Sequence, residues 1–146
     1  MNIYFVCTGN TCRSPMAEAI LRAKQLEGIN VRSAGVYAMD GGSISANAET
    51  LILGNELPYS PMSRQLSKQD VQWADLILTM TASHKQALCG SFPEAKEKTF
   101  TLKEYVSPHG SMDVSDPFGG DLSVYQQTFS ELEQLMDQLE KKLLEE

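Results

Sequence analysis

The stretch VCTGNTCRSP, residues 6–15, sets Cys7 and Arg13 in a Cys-x5-Arg spacing with Gly9 and Asn10 between them. Cysteine is the strongest nucleophile among the side chains once it is a thiolate, and arginine presents a planar fork of donors that fits two oxygens of a phosphate. The spacing alone proves little, since at ordinary arginine frequencies it arises by chance in roughly one three-cysteine chain in six. Gly9 and Asn10 add to it. They are the residue types most tolerant of positive φ, so the loop can turn successive backbone N–H groups inward as an anion nest. A helix starting just after the loop adds its N-terminal dipole. Such surroundings favour a thiolate as well as a bound oxyanion, and predict for Cys7 a lowered pKa and nucleophilicity near neutrality. A metal clip is disfavoured, because Cys7, Cys12, Cys89 and two scattered histidines form no recognised ligand spacing. No Gly-Lys-Ser/Thr and no G-x-G-x-x-G occurs.

The elements that must hold this loop follow from the pattern on either side. Residues 2–6, NIYFV, are β-branched and aromatic without polar alternation, as in a strand covered on both faces. After the loop, Ser14 is expected to cap a helix with Pro15 at its first position. Met16, Ala19, Ile20, Ala23 and Leu26 then recur at helical spacing until Gly28. Further strands are expected at 30–36, 74–80 and 98–102, and further helices at 44–56, 82–89 and from Asp121 onward, where Tyr125, Phe129, Leu132, Leu135, Met136, Leu139 and Leu143 mark one apolar face. Two prolines and three glycines make 107–120 a long loop. The alternation predicts an α/β fold, a parallel sheet with helices on both faces, in a single domain over residues 1–146. In such sheets ligands bind beyond the carboxyl ends of the strands, where the loop after the first strand lies.

Composition narrows the function classes. The 146 residues are 42% hydrophobic and 21% charged, ordinary for a globular chain. A formal net charge of -7 disfavours a broad nucleic-acid surface, so any phosphate must be bound locally. Three cysteines and no leader pattern point to a cytoplasmic protein, and no apolar run is long enough for a membrane span. A monomer with no cofactor and no metal is expected.

VCTGNTCRSP resembles the signature of the low-molecular-weight protein tyrosine phosphatase family, and the similarity extends through SAG (33–35), SRQL (63–66), ADLILTM (74–80) and DPFGG (116–120) over nearly the whole chain. The resemblance implies a four-stranded parallel sheet with the phosphate-binding loop after the first strand. It also implies that Cys7 attacks phosphorus to form a phosphocysteine. Arg13 and the backbone amides of Thr8, Gly9, Asn10, Thr11, Cys12 and Ser14 would hold the phosphoryl oxygens. The Ser14 hydroxyl would assist the thiolate and Asn10 would brace the loop. Asp116, in the only Asp-Pro dipeptide of the chain, would be the general acid and then the base for water.

Thr11 and Phe118-Gly119-Gly120 depart from the tyrosine phosphatase pattern, which often has a bulky aliphatic residue at the first place and tyrosines at the second. Both are similar to the bacterial protein arginine phosphatase branch of the family. A hydroxyl at Thr11 can pair with guanidinium N–H groups and Phe118 can stack on that planar cation, which makes both candidate selectors of substrate. Phosphorylated proteins are then the expected partners, carrying phosphoarginine or, alternatively, phosphotyrosine. Thioredoxin-coupled arsenate reductases share the first loop but relay a disulfide through further cysteines, and only Cys89 follows here. A redox or anion sensor is the non-enzymatic alternative, since Cys12 could trap an oxidised Cys7 as a disulfide. Otherwise Cys12 is a small core residue. Cys89 is expected to be a buried hydrophobe, and His84 and His109 structural or solvent-facing.

Overall fold

The computed structural model describes residues 1–58, 62–107 and 112–145. Four strands, β1 (Asn2–Cys7), β2 (Asn30–Gly35), β3 (Leu76–Thr79) and β4 (Thr99–Thr101), form one parallel sheet in the order β2-β1-β3-β4. β1 is paired on both edges, and five of its six residues are buried, which explains its unbroken apolar run. Its side chains alternate between two cores. Ile3, Phe5 and Cys7 face one, and Tyr4 and Val6 the other.

The first core is covered by α1 (Arg13–Ala23), α2 (Ala46–Gly54), α5 (Leu102–Val106) and α6 (Leu122–Leu144). The second lies under α3 (Lys68–Trp73) and α4 (Ala82–Ser91), with a 3-10 turn at Pro93–Lys98. From β1 the chain crosses to β2 on one side and later enters β3 on the other. Right-handed crossovers running in opposite directions along a sheet place their helices on opposite faces, as found here for α1 and α4. The reversal of strand order makes the carboxyl end of β1 the switch point, and Cys7 sits there.

Two short helices escaped the sequence pattern. α3 and α5 each bury a single residue, Val71 and Leu102, too little to leave a periodic stripe. α5 nevertheless carries a readable start signal, a reciprocal capping box between Thr101 and Glu104. α1 ends at Ala23 rather than continuing to Leu26, because Gln25 takes φ 51 and breaks the helix. Leu26 still packs against the core from the turn that follows. α6 buries six of the seven residues named for its apolar face, and Leu143 packs against the core at its end. Among the described residues no helix is long and apolar enough to cross a membrane.

Candidate active site

The loop from Cys7 to Arg13 is fixed from beneath. A Cβ on Gly35, the last residue of β2, would lie 2.7 Å from the Asn10 backbone nitrogen and 2.8 Å from the Gly9 carbonyl carbon, and closer still to the Thr8 carbonyl oxygen. Only glycine lets the loop settle on the sheet here. The Val36 and Tyr37 N–H groups then donate to the Cys7 and Thr8 carbonyls, both at 2.9 Å. Asn10 takes φ 53, the left-handed conformation expected of it. Its side-chain Nδ2 donates to Ser14 Oγ (2.7 Å) and Ser33 Oγ (3.0 Å), while its Oδ1 accepts the Arg64 N–H (2.8 Å). The bracing role expected of Asn10 thus has a geometry: one buried side chain ties the loop to α1, β2 and the segment before α3.

Ser14 does not cap α1. The capping position falls on Cys12, Arg13 and Ser14 are already helical, and the first helical bond runs from Met16 N–H to the Cys12 carbonyl at 3.1 Å. Ser14 Oγ is committed elsewhere, 2.8 Å from Cys7 Sγ. Because it accepts from Asn10, its own hydrogen can point at sulfur, a nearer partner at 2.8 Å than the Ala34 carbonyl at 3.4 Å, so Asn10, Ser14 and Cys7 form a directed chain of donors ending on the Cys7 sulfur.

Cys7 is 3% exposed. Burial pushes its thiol up from the ordinary value, while the Ser14 hydroxyl and N–H, the Arg13 charge and the Asn10 N–H act in the opposite sense. The lowered pKa expected from the sequence is therefore not what the fold imposes. The sequence reveals which donors surround the sulfur but not how much water the fold removes from it.

Arg13 is also buried, and its Nη1 donates to the Val114 carbonyl at 3.1 Å. Its Nη2 lies 3.6 Å from Asp116 Oδ2. The segment carrying Asp116 is hung from three places. Val114 N–H donates to the Met80 carbonyl just beyond β3 (2.8 Å), Arg13 grips the Val114 carbonyl, and the Ser115 N–H and hydroxyl reach Glu131 Oε1 on α6 (3.2 and 3.4 Å). Asp116 Oδ1 accepts the Phe118 N–H at 3.0 Å, an Asx turn that steadies the carboxylate without burying it. Pro117 is buried and Phe118 is 76% exposed, so the ring does not pack inward.

Cys7, Arg13, Asp116 and Phe118 meet around a cleft of about 190 Å³, walled otherwise by residues 8, 9, 11 and 12. The cleft is small enough for a phosphoryl group and the planar end of a side chain. It combines a nucleophile at the base, a buried cation beside it and an exposed carboxylate at the mouth, the parts needed to attack an oxyanionic centre and protonate a leaving group.

A profile described as low molecular weight phosphotyrosine protein phosphatase matches residues 2–146. The chain belongs to that family. The phosphatase is 49% identical over 141 residues to the protein-arginine-phosphatase of Geobacillus stearothermophilus, covering 97% of this chain and 95% of that one. It is 47% identical over 147 residues to the protein-arginine-phosphatase of Bacillus subtilis (strain 168), covering 98% and 97%. Among solved structures it is similar, at 46% identity and a TM-score of 0.92 over 98% of this chain and 95% of the other, to a YwlE arginine phosphatase variant with serine in place of cysteine and a phosphorylated active-site serine.

Three features of the phosphatase site were not legible in the sequence. His84, expected to be structural or solvent-facing, is buried, 6% exposed, and its Nε2 lies 2.7 Å from Thr8 Oγ1 on the cleft wall. Tyr125, identified only as part of an apolar face, brings its hydroxyl to 3.3 Å from Cys12 Sγ. The Val114 carbonyl carries no side-chain signal at all. Cys89 is half-buried beside Lys85 and Gln86 rather than a core residue, whereas Cys12 is in the core. His109 lies outside the described residues.

Proposed function

We propose that this chain removes the phosphoryl group from phosphoarginine in proteins through a phosphocysteine on Cys7. The observation that carries the reading is Thr11. It lies on the cleft wall, and among the described residues its hydroxyl makes only one long contact, 3.5 Å to Cys12 Sγ. That leaves an oxygen available to a guanidinium N–H where an aliphatic side chain would leave the group unpaired. The two arginine-phosphatase relatives support the same substrate class.

In the first step the Cys7 thiolate attacks phosphorus, an S–P bond forms and the P–N bond breaks, with Asp116 delivering a proton to the departing nitrogen. Arg13 and the loop amides hold the three remaining oxygens as charge redistributes. In the second step Asp116 takes a proton from water, whose oxygen attacks phosphorus. The S–P bond breaks, and the Ser14 hydroxyl stabilises the thiolate that returns. Phosphotyrosine is the second reading and Phe118 is compatible with it, since an exposed ring at the cleft mouth stacks on a phenyl group as well as on a guanidinium.

The deciding experiment is kcat/KM on matched phosphoarginine and phosphotyrosine peptides, wild type beside Thr11→Ile. A phosphoarginine preference that Thr11→Ile reverses is expected, by about 10²-fold or more for loss of a polar contact. A phosphotyrosine preference indifferent to the change would give the second reading. Cys7 and Cys12 line the same cleft, and neither is in a disulfide. Peroxide would convert Cys7 to a sulfenic acid, which the Cys12 thiol displaces with loss of water to form a disulfide. Joint loss of both thiols, restored by dithiothreitol, is the expected result, and loss of Cys7 alone would refute it.

A further inference from the structure

Thr8 follows the nucleophile directly, is exposed on the cleft wall, and has its hydroxyl 2.7 Å from His84 Nε2. His84 is held in place by its own N–H, which donates to Thr81 Oγ1 at 3.1 Å at the start of α4. Burial, and then the charge of Arg13, push the imidazole down to about 4, against the opposing pull of Asp113 and Asp116. It is uncharged at neutral pH and carries a single ring N–H.

The position of that hydrogen follows from what surrounds the ring. Among the described residues the buried Nδ1 has no partner. A hydrogen on Nδ1 would be a buried donor left unpaired, at a cost of about 1–3 kcal/mol. A hydrogen on Nε2 points at Thr8 and leaves Nδ1 only a bare lone pair. The threonine hydroxyl cannot then donate to His84, and its hydrogen is turned away from the ring.

We propose that His84 donates its Nε2–H to Thr8 Oγ1 and so presents the Thr8 hydroxyl as a hydrogen-bond donor to the phosphoryl group in the cleft. Thr8 is then a side-chain addition to the donors of the loop, and His84 a positioning residue acting through it. The inference rests on the cleft binding a phosphoryl group and holds whether the leaving group is a guanidinium or a phenol.

The test combines a spectrum with a binding series. Nitrogen NMR of the histidine-labelled protein at neutral pH should show His84 with Nε2 protonated and Nδ1 bare; the opposite tautomer or an imidazolium would overturn the proposal. Inorganic phosphate, titrated as a competitive inhibitor, should bind roughly tenfold more weakly to Thr8→Val and to His84→Phe, the effect of one hydrogen bond to a charged group. Thr8→Ser should bind as wild type does, and His84→Gln, whose amide nitrogen can reach the place of Nε2, should recover most of the loss. The double variant Thr8→Val with His84→Phe should be no weaker than Thr8→Val alone. Phosphate binding by Thr8→Val equal to wild type, or additive losses in the double variant, would refute the proposal while leaving the phosphatase reading intact; a wild type with no affinity for phosphate would remove both. If His84→Phe does not fold, the spectrum and the Thr8 pair still decide.

Discussion

The loop that carries Cys7 and the segment that carries Asp116 meet at Arg13, yet they are held in opposite ways. The first buries Cys7, Asn10, Cys12 and Arg13, is pinned on Gly35 and is tied through Asn10 to three other parts of the chain. The second leaves its carboxylate 56% exposed and is suspended by a few bonds to Met80, Arg13 and Glu131. A nucleophile and an oxyanion cradle work only at fixed geometry, because misplacing a reacting atom by about 1 Å can cost some 10²-fold in rate. A proton donor must instead reach both the leaving group and solvent in successive steps, and exposure allows that. On the proposed mechanism the two regions therefore divide the reaction: one sets where phosphorus sits, the other moves protons.

That division predicts that binding and chemistry separate. Cys7→Ser should abolish turnover, falling by several orders of magnitude as expected for loss of a nucleophile. Asp116→Asn should lower kcat by about 10²–10⁴-fold while inorganic phosphate binds as well as to the wild type. Phosphate affinity falling in parallel with kcat in Asp116→Asn would mean that the carboxylate is part of the cradle, and the contrast between the loops would collapse.

A smaller effect is expected at Glu131, which receives the N–H and hydroxyl of Ser115 and is itself paired with Lys103 at 3.1 Å. Glu131→Gln should reduce kcat several-fold with phosphate affinity unchanged, because of the two regions only the acid segment hangs from it. Steady-state kinetics beside phosphate inhibition would check this, and a change confined to phosphate affinity would contradict it.

The subtlest effect is a displaced pH profile. The Ser14 hydroxyl bond stabilises the charged form of Cys7 and so lowers its pKa against the rise imposed by burial. Removing it in Ser14→Ala should raise that pKa further, leave less thiolate at a given pH, and move the acidic limb of kcat/KM to higher pH. A limb that stays in place or moves to lower pH would show that the hydroxyl does not stabilise the thiolate.

Much of the cradle was legible because it is contiguous. A strand, a loop containing Gly9 and Asn10 and a helix occur within one short stretch, so local rules sufficed to place Cys7 at a strand end and Arg13 at a helix start. The parallel sheet was legible for a related reason: β1 and β3 are covered on both faces and read as continuous apolar runs. Where local rules competed they failed. Ser14 satisfies the statistics of a helix cap, but the sulfur beside it takes its hydroxyl, and the helix starts earlier on Cys12. α3 passed unnoticed because a helix burying only Val71 has no apolar face to detect.

By itself, then, the sequence determined the fold class, the left-handed turn at Asn10 and the placing of Cys7 and Arg13 at the two ends of one loop, since these depend on propensities and spacings within a few residues. Only the tertiary structure decided the rest. Arg13 grips a carbonyl 101 positions away, His84 meets Thr8 across 76, and the sulfur at the base of the cleft is drier than any local pattern reveals. Those contacts depend on the order of strands in the sheet and on which face each helix covers. Such choices are settled by the packing of the whole core, and no short stretch of the chain encodes them.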